Sequence, residues 1–541
     1  MREGGVAPRR APGVLAVAVA AALALLHLGL LRDLPLGLDL HVHDEALYHA
    51  QGQALLGGEI DARTWAWAPV LSACHALILL VPLGGLHPCD AVLFASTGLY
   101  TLGFWLVLRG VAGASAGGRL AAVLLACLLC CAWPTLLRQG MAATPSVYWF
   151  TGGLAQVAIA LLLRGRLVPG LLGFALAGLN RPEAALWLMA GGAVLLVPRW
   201  RNAAPRGLPV LALALGAALL ASHAGNPEGR ARAWLAFRQH YAMGRAEREP
   251  VPEREAAGRA FFFPAARIEA EFGAADSILA ALRANPGAVA RHVAHNAALL
   301  PAQLGELAVA PARGGWLWWL AGLPLAGLLL AGLLGRPGVA RCIRGEGRAV
   351  PWLIAALVGV PVALLVRPRT ELLQALLLPA AAVLVGIVRR AESRPWHRAA
   401  GGVEPLIPLL LAALAWAWAT PFGTRASYGL ETRVAVEALR AEPRDGGPAR
   451  TLLAPHGRYL PALAGCPEVE GLDLLATAEA GAPGADSLDA LLGRAPDLLL
   501  VSLSALGLPA VGERLRAEVA HEERWAVAWL SPVAVLYRRL P

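Results

Sequence analysis

From residue 14 to residue 420 the chain is a succession of apolar runs separated by short loops in which arginines collect. Nothing else in the sequence restricts the fold as strongly. A helix needs about 20 apolar residues to cross the hydrocarbon core, and only helices or closed barrels satisfy the backbone there. Composition agrees: 57% of residues are hydrophobic and 16% charged, against about 25% charged in soluble domains. These features give a mainly α, polytopic transmembrane chain. The formal charge of +10 and pI near 9.8 do not signal nucleic acid. Every basic residue other than histidine is an arginine, and these sit between apolar runs, as membrane orientation requires, without the patterned footprint of a nucleic-acid surface.

With the N-terminus cytoplasmic, residues 14–31 read as an uncleaved first helix and 33–69 as an outer loop. If residues 70–86 crossed, Arg109 and Arg119 would fall outside, against the positive-inside rule. That stretch therefore reads as a re-entrant or interfacial helix. The crossings continue at 91–108, 120–133, 147–163, 168–179, 184–197 and 208–222. A long polar insertion, 223–313, is a second outer segment with helical patches at 265–282 and 286–299. Runs at 316–334, 351–366, 372–388 and 405–420 bring the total to about 11 spans. After residue 421 the pattern changes to short strands (451–454, 497–502), helices (486–493, 511–519) and a closing hairpin over 527–537. The organisation is thus a membrane domain over 1–420, with outer loops 33–69 and 223–313, and a small extracytoplasmic α/β domain over 421–541.

Seven cysteines imply no disulfide framework. Cys127, Cys130 and Cys131 lie in an apolar run without partner histidines, and read as small buried side chains. His456, Asp473 and Ser502 have neither triad spacing nor a nucleophile-elbow context.

The chemistry concentrates in the first outer loop, His-Val-His-Asp-Glu-Ala-Leu-Tyr-His from His41 to His49. A dense polar cluster is unusual in so apolar a chain. Asp44 and Glu45 supply adjacent carboxylates suited to general-base or orienting work, with His43 and Tyr48 as candidate substrate contacts. His41 and His43 fall on one side of an extended segment. With Glu45 they are the candidate ligands of a divalent metal, the one cofactor these residues suggest. Further along, Arg181-Pro-Glu183 and Arg367-Pro-Arg369 sit at outer-face turns. Guanidinium forks there match phosphate oxygens, although arginines flanking a span also snorkel to headgroups.

Asp44-Glu45 with Tyr48, then Ala54-Leu-Leu-Gly-Gly58, Trp65-Ala-Trp-Ala-Pro-Val70, Arg181-Pro-Glu183 and Arg367-x-Arg369 with Glu371, taken in order, resemble the GT-C superfamily. Its members use polyprenyl-phosphate sugars and include protein O-mannosyltransferases and the lipid A aminoarabinose transferase. The resemblance implies a glycosyltransferase that inverts the anomeric centre. It makes Asp44 the catalytic carboxylate and Glu45 its partner, and assigns Arg367, Arg369 and Arg181 to the donor phosphate. Tyr48, His43 and Glu183 would contact substrate. The donor is a polyprenyl-phosphate sugar, the acceptor a lipid, glycan or protein, and the location a bacterial inner membrane with the site on its outer face. Some relatives use a metal and others none. The sequence departs from the family at 134–145, where relatives often carry a second acid and this chain offers only Arg138, Gln139 and Thr144. The alternatives are a transporter or flippase of a lipid-linked intermediate, or an inactive structural relative. A transporter needs polar residues through mid-membrane, whereas here they collect on one face.

Overall fold

The structure, a computed structural model, describes residues 44–59, 68–83, 87–112, 146–196, 207–248, 264–309, 365, 428–442, 450–454, 460–466, 469–473, 485–502, 509–531 and 534–540. The expected spans at 14–31, 120–133, 316–334, 372–388 and 405–420, and that at 351–366 apart from Leu365, lie outside these residues.

The membrane-like part begins with α1 (Asp44–Leu56), α2 (Pro69–Leu79) and α3 (Pro88–Ala112). It continues with α4 (Ser146–Leu163), α5 (Leu167–Asn180), α6 (Pro182–Leu195) and α7 (Gly207–Gly225). Among the described residues α7 is long and apolar enough to cross a bilayer. Its Val210 and Leu211 are 60% and 52% exposed, a surface suited to lipid. Helix α2, expected not to span, has 11 residues, which at 1.5 Å each is about 16 Å, half the bilayer core.

Small residues let these helices approach closely. A Cβ on Gly153 of α4 would stand 2.8 Å from Leu99 Cγ and from the Tyr100 backbone nitrogen on α3. Tyr100 then meets the Trp149 ring edge-on at 5.1 Å. Ala158, Phe174, Leu188 and Ala212 continue the same core through α4, α5, α6 and α7.

Helix α2 has an uncommon start. Its N-cap, Ala68, is a buried non-glycine residue at φ 70° and offers no side-chain cap. The acceptor comes from another helix: Asn180 Oδ1, at the end of α5, accepts from the Leu71 amide at 3.0 Å, while its Nδ2 donates to Thr151 Oγ1 at 3.0 Å. Asn180→Ala leaves the Leu71 amide without its acceptor in a buried place. The expected cost is about 1–3 kcal/mol, read as lowered thermal stability with faster amide exchange over α2. Unchanged exchange at Leu71 would contradict this.

The polar insertion is helical. Helix α8 (Pro227–Ala246), absent from the sequence reading, is capped by Asn226, whose side chain accepts from the Glu228 amide. It buries Trp234, Phe237 and Tyr241 along one face. The single patch expected over 265–282 is two helices, α9 (Ala265–Phe272) and α10 (Ile278–Ala284). Gly273, at φ 59°, ends the first, and the Ser277 side chain caps the second by accepting from Ala280 N. Helix α11 (Pro286–Val309) runs ten residues beyond the expected 299.

The C-terminal part holds α12 (Tyr428–Ala441), β1 (Arg450–Ala454), α13 (Leu460–Ala464), β2 (Val469–Asp473), α14 (Ala485–Leu492), β3 (Leu498–Ser502), α15 (Pro509–Val519), β4 (Trp525–Leu530) and β5 (Ala534–Arg539). The five strands form one sheet in the order β2-β1-β3-β5-β4. Strands β2, β1 and β3 are parallel, and β5 pairs antiparallel with both β3 and β4. Both faces are covered, which is why β3 reads Leu-Leu-Leu-Val-Ser without alternation. Leu498 and Leu500 face one core with α12 and α13, while Leu499 and Val501 face the other with Val511 and Leu515. Cys89, near the start of α3, is buried in the first of these cores. His87 Nε2–H donates to the Leu463 carbonyl of α13 at 3.0 Å, so this sheet unit sits against the helices that carry the first outer loop.

Candidate functional site

Asp44 and Glu45 open α1, at the end of a helix where backbone amides favour negative charge. Tyr48 is four residues on from Asp44, on the same helical face, and is completely buried. It packs with Ala68, Leu71, Val92 and Val147, and the partly buried Tyr148 closes the cluster. The Tyr48 hydroxyl accepts from Arg232 Nη2 at 3.4 Å. Arg181 donates from Nη2 to the Tyr148 hydroxyl at 3.2 Å, with its guanidinium 4.5 Å from that ring's centroid. Arg232 of α8 and Arg181 of the α5–α6 junction are thus each held by a tyrosine of one apolar cluster, the one to which α1 contributes Tyr48.

Of the residues expected from sequence, the structure brings Tyr48 and Arg181 to this one cluster. Glu183 lies in the first turn of α6, two residues from Arg181. His41, His43, Arg367 and Arg369 are outside the described residues. Arg232 was missed: a lone arginine in a polar, arginine-rich insertion carries no sequence signal, and only the fold brings it to Tyr48.

The arginine pair at 367 and 369 follows Leu365, whose carbonyl accepts from His292 Nε2 of α11 at 3.1 Å. The imidazole sits among Phe237 and Tyr241, with ring centroids 5.8 and 5.4 Å away. Burial pushes its pKa down to about 4; the Leu365 carbonyl works in the opposite direction, and Arg248 and His295 add to the lowering. A pKa lower in the folded than in the unfolded chain means the unfolded chain binds the proton more readily. Stability from this histidine is therefore full above about 6.5 and is lost as pH falls toward 4, on the order of 3 kcal/mol in all. Hydrogen exchange over α8 and α11, corrected for intrinsic rates, is expected to accelerate between pH 6.5 and 4.5. His292→Gln should remove that pH dependence, and persistence of it in the variant would assign it to another group.

Two solved structures are similar to the chain. The archaeal oligosaccharyltransferase AglB from Archaeoglobus fulgidus, in complex with an inhibitory peptide and a dolichol-phosphate, aligns over 95% of this chain and 72% of its own, at 13% identity and a TM-score of 0.49. ArnT from Cupriavidus metallidurans, bound to undecaprenyl phosphate, aligns over 98% of each chain, at 15% identity and a TM-score of 0.40. No protein-family model and no curated protein matches the chain. At such values the likeness carries no functional argument, and the reading below rests on the residues.

Proposed function

We propose that the chain is an integral-membrane glycosyltransferase that moves a sugar from a polyprenyl-phosphate donor to an acceptor outside the cytoplasm. The observation that carries this reading is the head of α1. In a chain this apolar, two adjacent acidic residues open a helix whose next turn is tied through buried Tyr48 to Arg232, with Arg181 bonded to Tyr148 of the same cluster.

In this mechanism Asp44 accepts the proton of the acceptor hydroxyl or orients that hydroxyl, and Glu45 positions it or shares a divalent metal with His41 and His43. The acceptor oxygen forms its bond to the anomeric carbon as the bond to the phosphate oxygen breaks. The polyprenyl phosphate departs with the electron pair, and the anomeric centre inverts. Arg367, Arg369 and Arg181 neutralise that developing charge, while Tyr48, His43 and Glu183 line the sugar and acceptor. The membrane domain over 1–420, crossing about 11 times, holds the site. Its face is the outer side of a bacterial inner membrane, and the α/β domain over 421–541 lies on that side.

The test is transfer of a radiolabelled sugar in membranes supplied with a panel of polyprenyl-phosphate sugars and native acceptors. Transfer above that of membranes lacking the protein supports the reading. Its absence across the panel, with the protein folded and abundant, returns the choice to a transporter or an inactive relative.

A further inference from the structure

Away from the carboxylates, a second group of chemically active side chains converges in the interior. His49 of α1, His75 of α2 and Cys89 of α3 are all buried, and one ring nitrogen from each histidine and the Cys89 sulfur lie within 4.8 Å of one another. The rings of His49 and His75 meet edge-on, with centroids 5.8 Å apart. Three helices deliver one donor each to a single point, and two nitrogens with one sulfur form a donor set suited to zinc.

The surrounding hydrogen bonds sort the nearby groups. His87 lies beside His49, at 5.6 Å between ring centroids, but both its nitrogens are engaged. Nε2–H donates to the Leu463 carbonyl, and Nδ1 accepts from the Cys89 amide at 3.1 Å. It therefore positions the Cys89 backbone and is no ligand. His49 has Gln53 Nε2 at 3.3 Å from its own Nε2, while its Nδ1 is buried without a hydrogen-bond partner. A buried polar atom left so costs about 1–3 kcal/mol, and a cation bound through that nitrogen would remove the cost by taking its lone pair. Exchanging the oxygen and nitrogen of the Gln53 amide, a choice fixed only by the network, lets Gln53 accept from the outer N–H of His49, as the partners of metal-bound histidines do.

We propose that His49, His75 and Cys89 bind a zinc-class divalent cation that pins α1 and α2 to the start of α3. Tetrahedral zinc with these bond lengths sets its donors roughly 3.3–3.6 Å apart, so binding draws the three side chains inward by about 1 Å, with a water completing the shell. The ion joins the helix opened by Asp44 to the segment on which the C-terminal sheet unit rests through His87 and Cys89. The proposal does not depend on the glycosyltransferase reading.

The test uses the full-length protein in detergent, stripped with EDTA, reloaded with zinc chloride and freed of excess metal, with bound zinc measured by mass spectrometry. Both Cys89→Ser and His49→Gln are expected to hold about one zinc per chain fewer than the unmodified protein. That zinc should be retained in Cys466→Ser, which removes a buried thiol of the C-terminal core. Cobalt reloading of the unmodified chain is expected to give a thiolate-to-cobalt charge-transfer band, a readout that requires no variant to fold. A stripped protein that takes up no zinc and shows no such band would overturn the proposal. So would a zinc content that Cys89→Ser and His49→Gln both leave unchanged.

Discussion

Asp44→Asn is expected to lower the transfer rate by about two to four orders of magnitude, with little change in donor KM. The substitution keeps the shape of the side chain and removes the carboxylate that takes the acceptor proton. An interaction made only in the transition state lowers kcat and kcat/KM together. The local fold gives reason to expect a clean result. Asp44 is the first residue of α1, whereas the helix is anchored a turn later by Tyr48, buried among Leu71, Val92 and Val147. The change therefore falls at the first residue of the helix, a turn before that anchor. Glu45→Gln should cost less, because the proposed role of Glu45 is positioning. Tyr48→Phe, which keeps the buried ring but removes the hydroxyl that accepts from Arg232, separates the loss of that contact from the loss of the carboxylate. Transfer by Asp44→Asn within tenfold of the parent would move the base elsewhere, with Glu183 the next candidate.

The sequence was most informative where hydrophobic pattern alone decides structure. Helices α4, α5, α6 and α7 fall within a few residues of the apolar runs, because an apolar stretch bounded by arginine loops has little else to become. Arginine placement speaks against a crossing at 70–86, and α2 has 11 residues. In the C-terminal unit, β1, β3 and the hairpin were visible as apolar runs between turns. Strand β2, Val-Glu-Gly-Leu-Asp, was not: it lies at the sheet edge and carries two acids and a glycine. Helix α8 is hidden by its polar face, although Asn226-Pro-Glu228 is a helix-start signal.

Site residues divide along the same line. Residues within one motif, such as Asp44, Glu45 and Tyr48, can be read together because helical spacing fixes their relation. Residues joined by tertiary contact cannot. Asn180, next to the Arg181-Pro-Glu183 turn, caps α2 from another helix. Arg232 is 184 positions from Tyr48. His49, His75 and Cys89 have no motif spacing and meet only because α1, α2 and α3 pack at close range. How close that range is can be tested at one glycine.

Gly52→Ala is expected to destabilise the protein, against the intrinsic preference of the helix. In the middle of an exposed helix alanine is more stable than glycine by roughly 0.5–1 kcal/mol. At position 52 a Cβ would stand 2.7 Å from His75 Cβ, 3.0 Å from the Ala76 nitrogen and 3.1 Å from the Ser72 carbonyl oxygen, all on α2. Two of these neighbours are backbone, so no side-chain rotation relieves the overlap and the helices must separate. Overpacking of this kind costs about 1–3 kcal/mol, which exceeds the propensity gain and sets the sign. Separation also stretches the Ser72 hydroxyl bond to Gln51 Oε1, now 2.8 Å, and shifts the helix on which Asp44 sits. Thermal stability and transfer rate should therefore fall together in Gly52→Ala, and Gly52→Leu should fail to accumulate as folded protein. Gly207→Ala is the control: its Cβ meets nothing within 4 Å, and the expected change is under about 0.5 kcal/mol. A Gly52→Ala protein as stable as Gly207→Ala would show that α1 and α2 are not held at this distance. The convergence of His49 with His75, which depends on the same contact, would then lose its support.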